Sequence, residues 1–322
     1  MQGPLVSVLV STYNHEGYIE ECLRSILSQK VSFDYEVLVG EDCSPDGTAE
    51  VLRRIRPEFP ENFQFILREK NLGAVRNGED LYARARGKYL VDLEGDDFFL
   101  YEGKLQAQVD YLESHPECSA TYTHCVVVGE DSVPNGERYP DCPSETYDFR
   151  DCFYSRLPGQ SGTLMCRREQ YVDARSTFME MRKFDFYPGD RRNAFLFLCM
   201  GAVHVFCEPW SAYRHVKKKG STSYSSTVTF DDAYARNEIG YGRTLVAYAE
   251  RYASEEALRC AKMTYYRLLL KWGADRRSSA RLRDALREVM REPSGRFCFL
   301  LAPLKWYTVL ALRKLRGVPV DL

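Results

Sequence analysis

Long apolar runs are missing from this chain of 322 residues. Nowhere do about 18 uninterrupted apolar residues occur, so no helix of it is expected to span a membrane. Glycine-rich phosphate signatures are missing too. No GxGxxG follows the first strand-like run and no GxxxxGK(S/T) occurs, which excludes a dinucleotide-binding turn and a P-loop. Net charge is only −2, from 44 Lys and Arg against 46 Asp and Glu. No global field favours nucleic acid, and any anion must be held locally. Eleven cysteines, an odd count, stand without CxxC pairs or zinc-ligand spacing. With no export signal at the N-terminus, they are expected to be reduced thiols in a cytoplasmic protein. What is present, 44% hydrophobic residues, suffices for one large core or two modest ones.

The first half alternates regularly. Residues 5–10 are a short β-branched apolar run, the mark of a buried strand, and they stop at Ser11-Thr12-Tyr13-Asn14, which is turn and cap chemistry. Ile19, Cys22, Leu23, Ile26 and Leu27 then recur at helical spacing. Residues 35–40 read as a second strand, 48–55 as a helix and 63–67 as a third strand. Asn71-Leu72-Gly73 turns the chain into a helix carrying Arg76 and Asn77, with Gly87 expected as its C-cap. Residues 88–93 make a fourth strand. Four strand–helix alternations predict an α/β fold with a mostly parallel sheet flanked by helices. In such sheets ligands sit outside the carboxyl ends of the strands.

Those ends are acidic. Glu41-Asp42 closes the second strand and Glu94-Gly95-Asp96-Asp97 the fourth. Carboxylates gathered at the end of a buried strand repel one another and lose water, so they call for a cation. Mg²⁺ or Mn²⁺ suits them, because hard ions take oxygen ligands and commonly keep phosphate oxygens among them. The plain alternative is an acidic turn that caps the following helix. Ligand spacing and the glycine position do not fit an EF-hand loop.

Four stretches in order resemble glycosyltransferase family 2: Ser7-Val8-Leu9-Val10-Ser11-Thr12-Tyr13-Asn14, Gly40-Glu41-Asp42-Cys43-Ser44-Pro45-Asp46-Gly47-Thr48, Asn71-Leu72-Gly73 with Arg76-Asn77, and Glu94-Gly95-Asp96-Asp97 where that family has its DXD-type motif. The likeness is densest over about the first 115 residues. It implies a GT-A fold, a nucleotide-sugar donor, a divalent metal on the diphosphate and inversion at the anomeric carbon. Glu94 departs from the family's more frequent Asp. By resemblance, Thr12 and Tyr13 would line the base pocket and Asp42 would accept from the base, which suits N3–H of uracil. Arg76 would lie near the base or diphosphate, Glu94 and Gly95 on the donor, and Asp96 on the metal, with Asp97 bracing the loop. Bottom-up, a helix cap, a turn acid and a surface cation remain the alternatives for Thr12, Asp42 and Arg76.

Residues 104–114 read as a helix and 119–128 as a strand. Residues 129–159, rich in Pro, Gly, Asp and Ser without a period, form a loop-rich insertion of the kind that carries specificity. Gly159-Gln160-Ser161-Gly162-Thr163 resembles the family's entry into its acceptor half, though a plain turn reads as well. An inverting transfer needs a base for the acceptor hydroxyl. The family supplies it from a Glu-Asp pair before a helix, and the match here is Gly189-Asp190, with the second acid kept. Asp190 as N-cap of a helix over 191–200 is the alternative, and Asp185 the nearest competitor. A strand over 203–207 follows. Arg214, His215 and Lys217-Lys218-Lys219 fall where the family often closes a loop over the donor. Arg214 and a lysine would neutralise the leaving diphosphate, and His215 would bind metal or phosphate or be structural.

From residue 230 onward the pattern is helical. Between Gly295 and Gly317 aromatic and aliphatic residues interleave with Arg and Lys, which suits an interfacial, non-spanning membrane helix or a helix packed on protein. The expected division is a GT-A domain over 1–225, with a nucleotide-sugar half (1–118) and an acceptor half (119–225), then a helical region over 226–322. The leading reading is an inverting, metal-dependent transferase. It would use a UDP-sugar donor and a saccharide acceptor, lipid-linked if membrane contact holds, at the inner face of the cell membrane in surface polysaccharide or capsule synthesis. A catalytically silent nucleotide- or glycan-binding module is the alternative. A nucleotidyltransferase would need a glycine-rich basic first loop, which Ser11-Thr12-Tyr13-Asn14 does not supply.

Overall fold

The apolar runs of the first half become parallel strands. β1 (Val6–Thr12), β2 (Tyr35–Glu41), β3 (Phe63–Leu67) and β4 (Tyr89–Glu94) lie in the order β3-β2-β1-β4. Helices α1 (Ile19–Leu27), α2 (Thr48–Ile55), α3 (Ala74–Arg84) and α4 (Lys104–Ser114) alternate with them or follow. Val6, Val8, Val10, Val37, Val39 and Val91 expose no surface, as expected where both faces of a parallel sheet are covered. Ile19, Leu23 and Ile26 of α1, Leu52 and Ile55 of α2, and Leu105, Val109 and Leu112 of α4 share this core. Their i, i+3/i+4 spacing is what places them on one face.

The second half of the sheet is mixed. β5 (Phe98–Phe99), β6 (Cys118–Val128), β7 (Thr146–Tyr147), β8 (Met165–Arg167) and β9 (Ala202–Arg214) complete it. β8 runs antiparallel between β4 and β6, β9 parallel to β6, and β5 and β7 antiparallel to β9. Parallel pairing therefore runs unbroken where strand and helix alternate in sequence, and beyond β4 antiparallel pairs enter beside the parallel β6–β9 pair. Gly87 corrects an expectation. The helix before it ends at Arg84, with Ala85 already extended. Gly87 instead lies against β1, where a Cβ would meet Ser7 N at 2.5 Å, and its amide donates to Ser7 Oγ at 2.8 Å.

The computed structural model describes residues 3–139, 142–154, 156–185, 189–216, 231–274, 279–293 and 296. They fall into two compact units: Met1–Asp151, Arg156–Ala174 and Leu196–Ser221 in the first, and Cys152–Ser155, Arg175–Phe195 and Thr222–Leu322 in the second. The sheet belongs to the first. Three short or divided helices, α5 (Phe149–Phe153), α6 (Arg168–Glu180) and α7 (Gly189–Met200), contribute residues to both. The second is helical, with α8 (Asp232–Tyr252), α9 (Glu255–Ala274) and α10 (Ser279–Val289). Ile239, Tyr265, Tyr266, Leu269, Leu270, Ala285 and Val289 form its core. Asp231 caps α8 by accepting from Tyr234 N at 2.8 Å. Buried Glu238 is paired with Lys271 at 3.2 Å. The aromatic and basic segment between 295 and 317, apart from Arg296, lies outside the described residues. Among the described residues no helix is long and apolar enough to cross a membrane.

Candidate active site

Strand register brings three chain ends to one level of the sheet. Thr12 pairs with Glu41, and Ser11 with Glu94. Backbone bonds carry the alignment past the strands, with Asp42 N donating to Thr12 O at 3.1 Å and Gly95 N to Ser11 O at 2.9 Å. Turns that are far apart in the chain are thereby neighbours in space, those after β2 and β4 each about one strand spacing of 5 Å from β1 and so roughly 10 Å from each other across it.

On the β2 side, Asp42 is buried and both its oxygens are engaged. Oδ1 accepts from Leu72 N at 2.7 Å and Oδ2 from Gly73 N at 2.9 Å. Asp42 thus fixes the Asn71-Leu72-Gly73 turn that leads into α3. Asn77 ties α3 back to β2, its Nδ2 donating to Gly40 O at 2.8 Å. Gly40 is required there, since a Cβ would meet Asn77 Oδ1 at 2.7 Å. Arg76 is exposed on the first turn of α3, Tyr13 is exposed on the loop after β1, and Thr12 is buried. That loop turns through Asn14 at φ 62°, a left-handed conformation that Asn tolerates.

On the β4 side the acidic turn folds against the same loop. Gly95 sits where a Cβ would meet Thr12 Oγ1 at 2.6 Å and His15 Nδ1 at 2.9 Å. No other residue fits without displacing them. Glu94 is exposed at the strand end. Asp97 points inward, Oδ1 accepting from Arg214 N at 2.8 Å and Oδ2 from Gln160 Nε2 at 2.8 Å. Burial, with Asp96 and Glu94 beside it, nevertheless pushes the Asp97 carboxyl well above its ordinary range.

Arg214 is the cation behind it, and it faces inward. Nε donates to Asp96 O at 2.9 Å, Nη1 to Gly129 O at 2.6 Å, and Nη2 to Glu21 Oε2 at 2.8 Å and Ser132 Oγ at 2.9 Å. Its guanidinium also lies 4.2 Å from the Tyr18 ring centroid. With its donors spent on protein, Arg214 braces the acidic turn from below. His215 donates through Nδ1–H to Glu137 Oε2 at 2.8 Å and stacks on Tyr213. The lysines at 217–219 lie outside the described residues.

Sequence reasoning passed over His15, and it placed Gln160 at the entry to the acceptor half rather than against the acidic turn. Gln160 links Asp97 to the 3-10 turn Ser161–Thr163, its Oε1 accepting from Gly162 N at 2.6 Å. His15 stands with Nδ1 3.2 Å from Thr12 Oγ1 and Nε2 3.7 Å from Asp96 Oδ1. Burial lowers its pKa, outweighing the raising effects of Asp96 and Asp46, so at neutral pH the ring is uncharged and no ion pair forms. Only the position of His15 in the loop after β1 hinted at it.

Asp190 belongs to the second unit, in the first turn of α7, whereas Thr12, Tyr13, Asp42, Arg76, Glu94, Gly95, Asp96, Arg214 and His215 all belong to the first. Desolvation raises Asp190, offset by Arg192 and Arg191. The helix begins at Gly189, so Asp190 lies inside it rather than at its N-cap.

Among the described residues no cluster of three His, Cys, Asp or Glu side chains could hold a metal alone. The donor set still fits Mg²⁺ or Mn²⁺, which commonly take one or two protein carboxylates and complete their shell with phosphate oxygens and water. Glu94 and Asp96 would hold such an ion.

Residues 7–182 match the profile of Glycosyl transferase family 2. The chain belongs to this family. An uncharacterized protein of Mycobacterium tuberculosis is 36% identical over 168 residues, covering 52% of this chain and 48% of its own length. The putative teichuronic acid biosynthesis glycosyltransferase TuaG of Bacillus subtilis is 30% identical over 167 residues, 52% of this chain and 64% of its own. This family 2 chain thus spans about half the length of the mycobacterial relative. A crystal structure of S. aureus TarS 1–349 in complex with UDP-GlcNAc has a TM-score of 0.60 at 19% identity, over 88% of this chain and 78% of that one. The shared fold is the GT-A arrangement of a helix-flanked sheet followed by C-terminal helices.

Proposed function

We propose that this family 2 protein is an inverting, metal-dependent glycosyltransferase that moves a sugar from a UDP-sugar to a saccharide hydroxyl in bacterial surface polysaccharide synthesis. The observation that carries the reading is the acidic turn Glu94-Gly95-Asp96-Asp97 set beside the Thr12 and Asp42 ends of β1 and β2 by strand register. Support comes from family membership, from the polysaccharide role in the name of TuaG, and from the UDP-GlcNAc bound by TarS.

In this reading the β1 loop and the Asp42-anchored turn hold the nucleoside, with Tyr13 and Arg76 exposed at its edge. Asp96, with Glu94, would hold Mg²⁺ or Mn²⁺, whose positive charge would offset that of the departing diphosphate. Gly95 lets the acidic turn approach Thr12, and Asp97 with Arg214 keeps it rigid. Asp190 takes the proton of the acceptor hydroxyl as it attacks the anomeric carbon, a task suited to a carboxylate whose pKa is raised by desolvation. His215 would reach a metal or phosphate through Nε2, since Nδ1 is occupied by Glu137. The acceptor is a saccharide, lipid-linked where the basic C-terminal segment meets a membrane.

The test is sugar release from radiolabelled UDP-sugars to oligosaccharide acceptors, for wild type and Asp190→Asn. Wild type is expected to transfer with inversion. Asp190→Asn is expected to lose about 100-fold or more in kcat, the scale of general-base catalysis, while UDP binds unchanged. Full activity in Asp190→Asn would remove the assigned base.

A further inference from the structure

Asp96 is unusual among the acids of the turn in having one oxygen with nothing to do. Its Oδ1 is buried and has no hydrogen-bond partner. A buried carboxylate oxygen left without a donor costs on the order of 1–3 kcal/mol, and such orphans call for an explanation. A quarter of the side chain is exposed, and Oδ1 contributes none of it. The two oxygens therefore differ in role. One side of the carboxylate opens outward, and Oδ1 faces into the protein.

The group that Oδ1 faces is His15 Nε2, at 3.7 Å. That gap is too long for a hydrogen bond yet too short to admit water between the two atoms. The imidazole is held on its other sides. Its Nδ1 lies 3.2 Å from Thr12 Oγ1, its backbone N donates to Thr48 Oγ1 at 2.9 Å, and Thr48 Oγ1 in turn donates to Asp46 Oδ1 at 2.5 Å. If the Thr12 hydroxyl donates to Nδ1, the ring carries its proton on Nε2, aimed at Oδ1. Gly95 leaves the space in which the ring sits, because a Cβ there would meet His15 Nδ1 at 2.9 Å.

We propose that His15 is a positioning residue that orients Asp96, its Nε2–H closing onto Oδ1 when the outward oxygen takes up a divalent cation with a nucleoside diphosphate. The inference rests on the donor-site reading above and adds to it the residue that sets the carboxylate's angle. Carboxylates that ligate metals are themselves held by hydrogen bonds, and losing such a partner commonly weakens metal binding about 10–100-fold. The same ring bridges the β1 loop and the acidic turn. Nucleoside contact at Thr12–Tyr13 and metal contact at Asp96 are thereby joined through one side chain.

The experiment is calorimetric titration of Mn²⁺ into full-length protein saturated with UDP, together with UDP titration in the absence of metal. Wild type, His15→Leu and His15→Gln would be compared, each first shown to be folded by its circular dichroism and melting transition. His15→Leu is expected to weaken Mn²⁺ binding at least about tenfold with metal-free UDP affinity changed less than about twofold. His15→Gln, whose amide nitrogen reaches the place of Nε2, is expected to return Mn²⁺ affinity to within about threefold of wild type. Folded His15→Leu with wild-type Mn²⁺ affinity overturns the proposal, and so does a His15→Gln that is no better than His15→Leu. Absence of Mn²⁺ binding in wild type would instead overturn the donor-site reading, and this inference with it.

Discussion

At the scale of single residues, the site is built from side chains whose visible chemistry is spent on holding loops. Asp42 and Arg214 show this most clearly. Family resemblance assigns both to the donor, yet Asp42 binds two backbone amides of the 71–73 turn and Arg214 spreads its guanidinium over Asp96, Gly129, Glu21 and Ser132. Sequence spacing cannot distinguish a side chain that touches ligand from one that holds the loop, because both are polar and both follow a strand. His15 was illegible for the related reason that its partners, Thr12 and Asp96, are 3 and 81 positions away in sequence. Arg214 yields a sharp expectation. Lysine keeps the charge but offers a single nitrogen in place of the planar fork, so it can satisfy only some of these acceptors. Arg214→Lys should lower stability to chemical denaturation by about 2–4 kcal/mol, the scale of leaving buried polar groups unpaired. An unchanged urea midpoint would show that the fan of hydrogen bonds is dispensable.

At the scale of elements, the first four strands and the helices between them were legible because buried β-branched runs and 3.6-residue periodicity alternate without interruption. Helix α2 and strand β3 fall on the residues expected, 48–55 and 63–67. Past β4 the signal fades. β8 is three residues long and β5 and β7 two each, too short to show any period. Gly87 was misread because a glycine after a helix suggests a cap, whereas its use is close approach to Ser7 of β1. Helix α4 hides a further feature. Lys104 exposes no surface, donates to Gln108 Oε1 at 2.7 Å and lies 4.5 Å from the Phe99 ring centroid. Burial lowers its pKa from 10.5 to about 7. Between those values the unfolded chain binds a proton that the folded chain does not, so stability rises with pH across that window and the burial penalty is largest below it. Lys104→Met removes the titration, while the lost Gln108 bond shifts its whole curve by a constant. Its melting temperature relative to wild type should therefore increase as pH falls from about 10 to about 7 and level off below. A difference that does not vary with pH would refute the buried titration.

At the scale of the whole molecule, a mixed sheet collects the ends of β1, β2 and β4 at one level, and Asp190 falls in the other of the two compact units. The sequence predicted the first of these from pattern alone, since parallel strands joined by right-handed crossovers end on the same side. It carried no rule for the acceptor, because the 129–159 insertion lacks periodicity and α8–α10 bury ordinary helical stripes such as Tyr265 and Leu269. The central claim is that the ends of β1, β2 and β4 form one metal-assisted nucleotide site. The most direct measurement is calorimetric titration of the protein with UDP, with and without Mn²⁺, for wild type and Asp96→Ala. The account predicts UDP binding that tightens with Mn²⁺ in wild type and is insensitive to Mn²⁺ in Asp96→Ala. No UDP binding under any metal condition, or the same Mn²⁺ enhancement in Asp96→Ala, would contradict it.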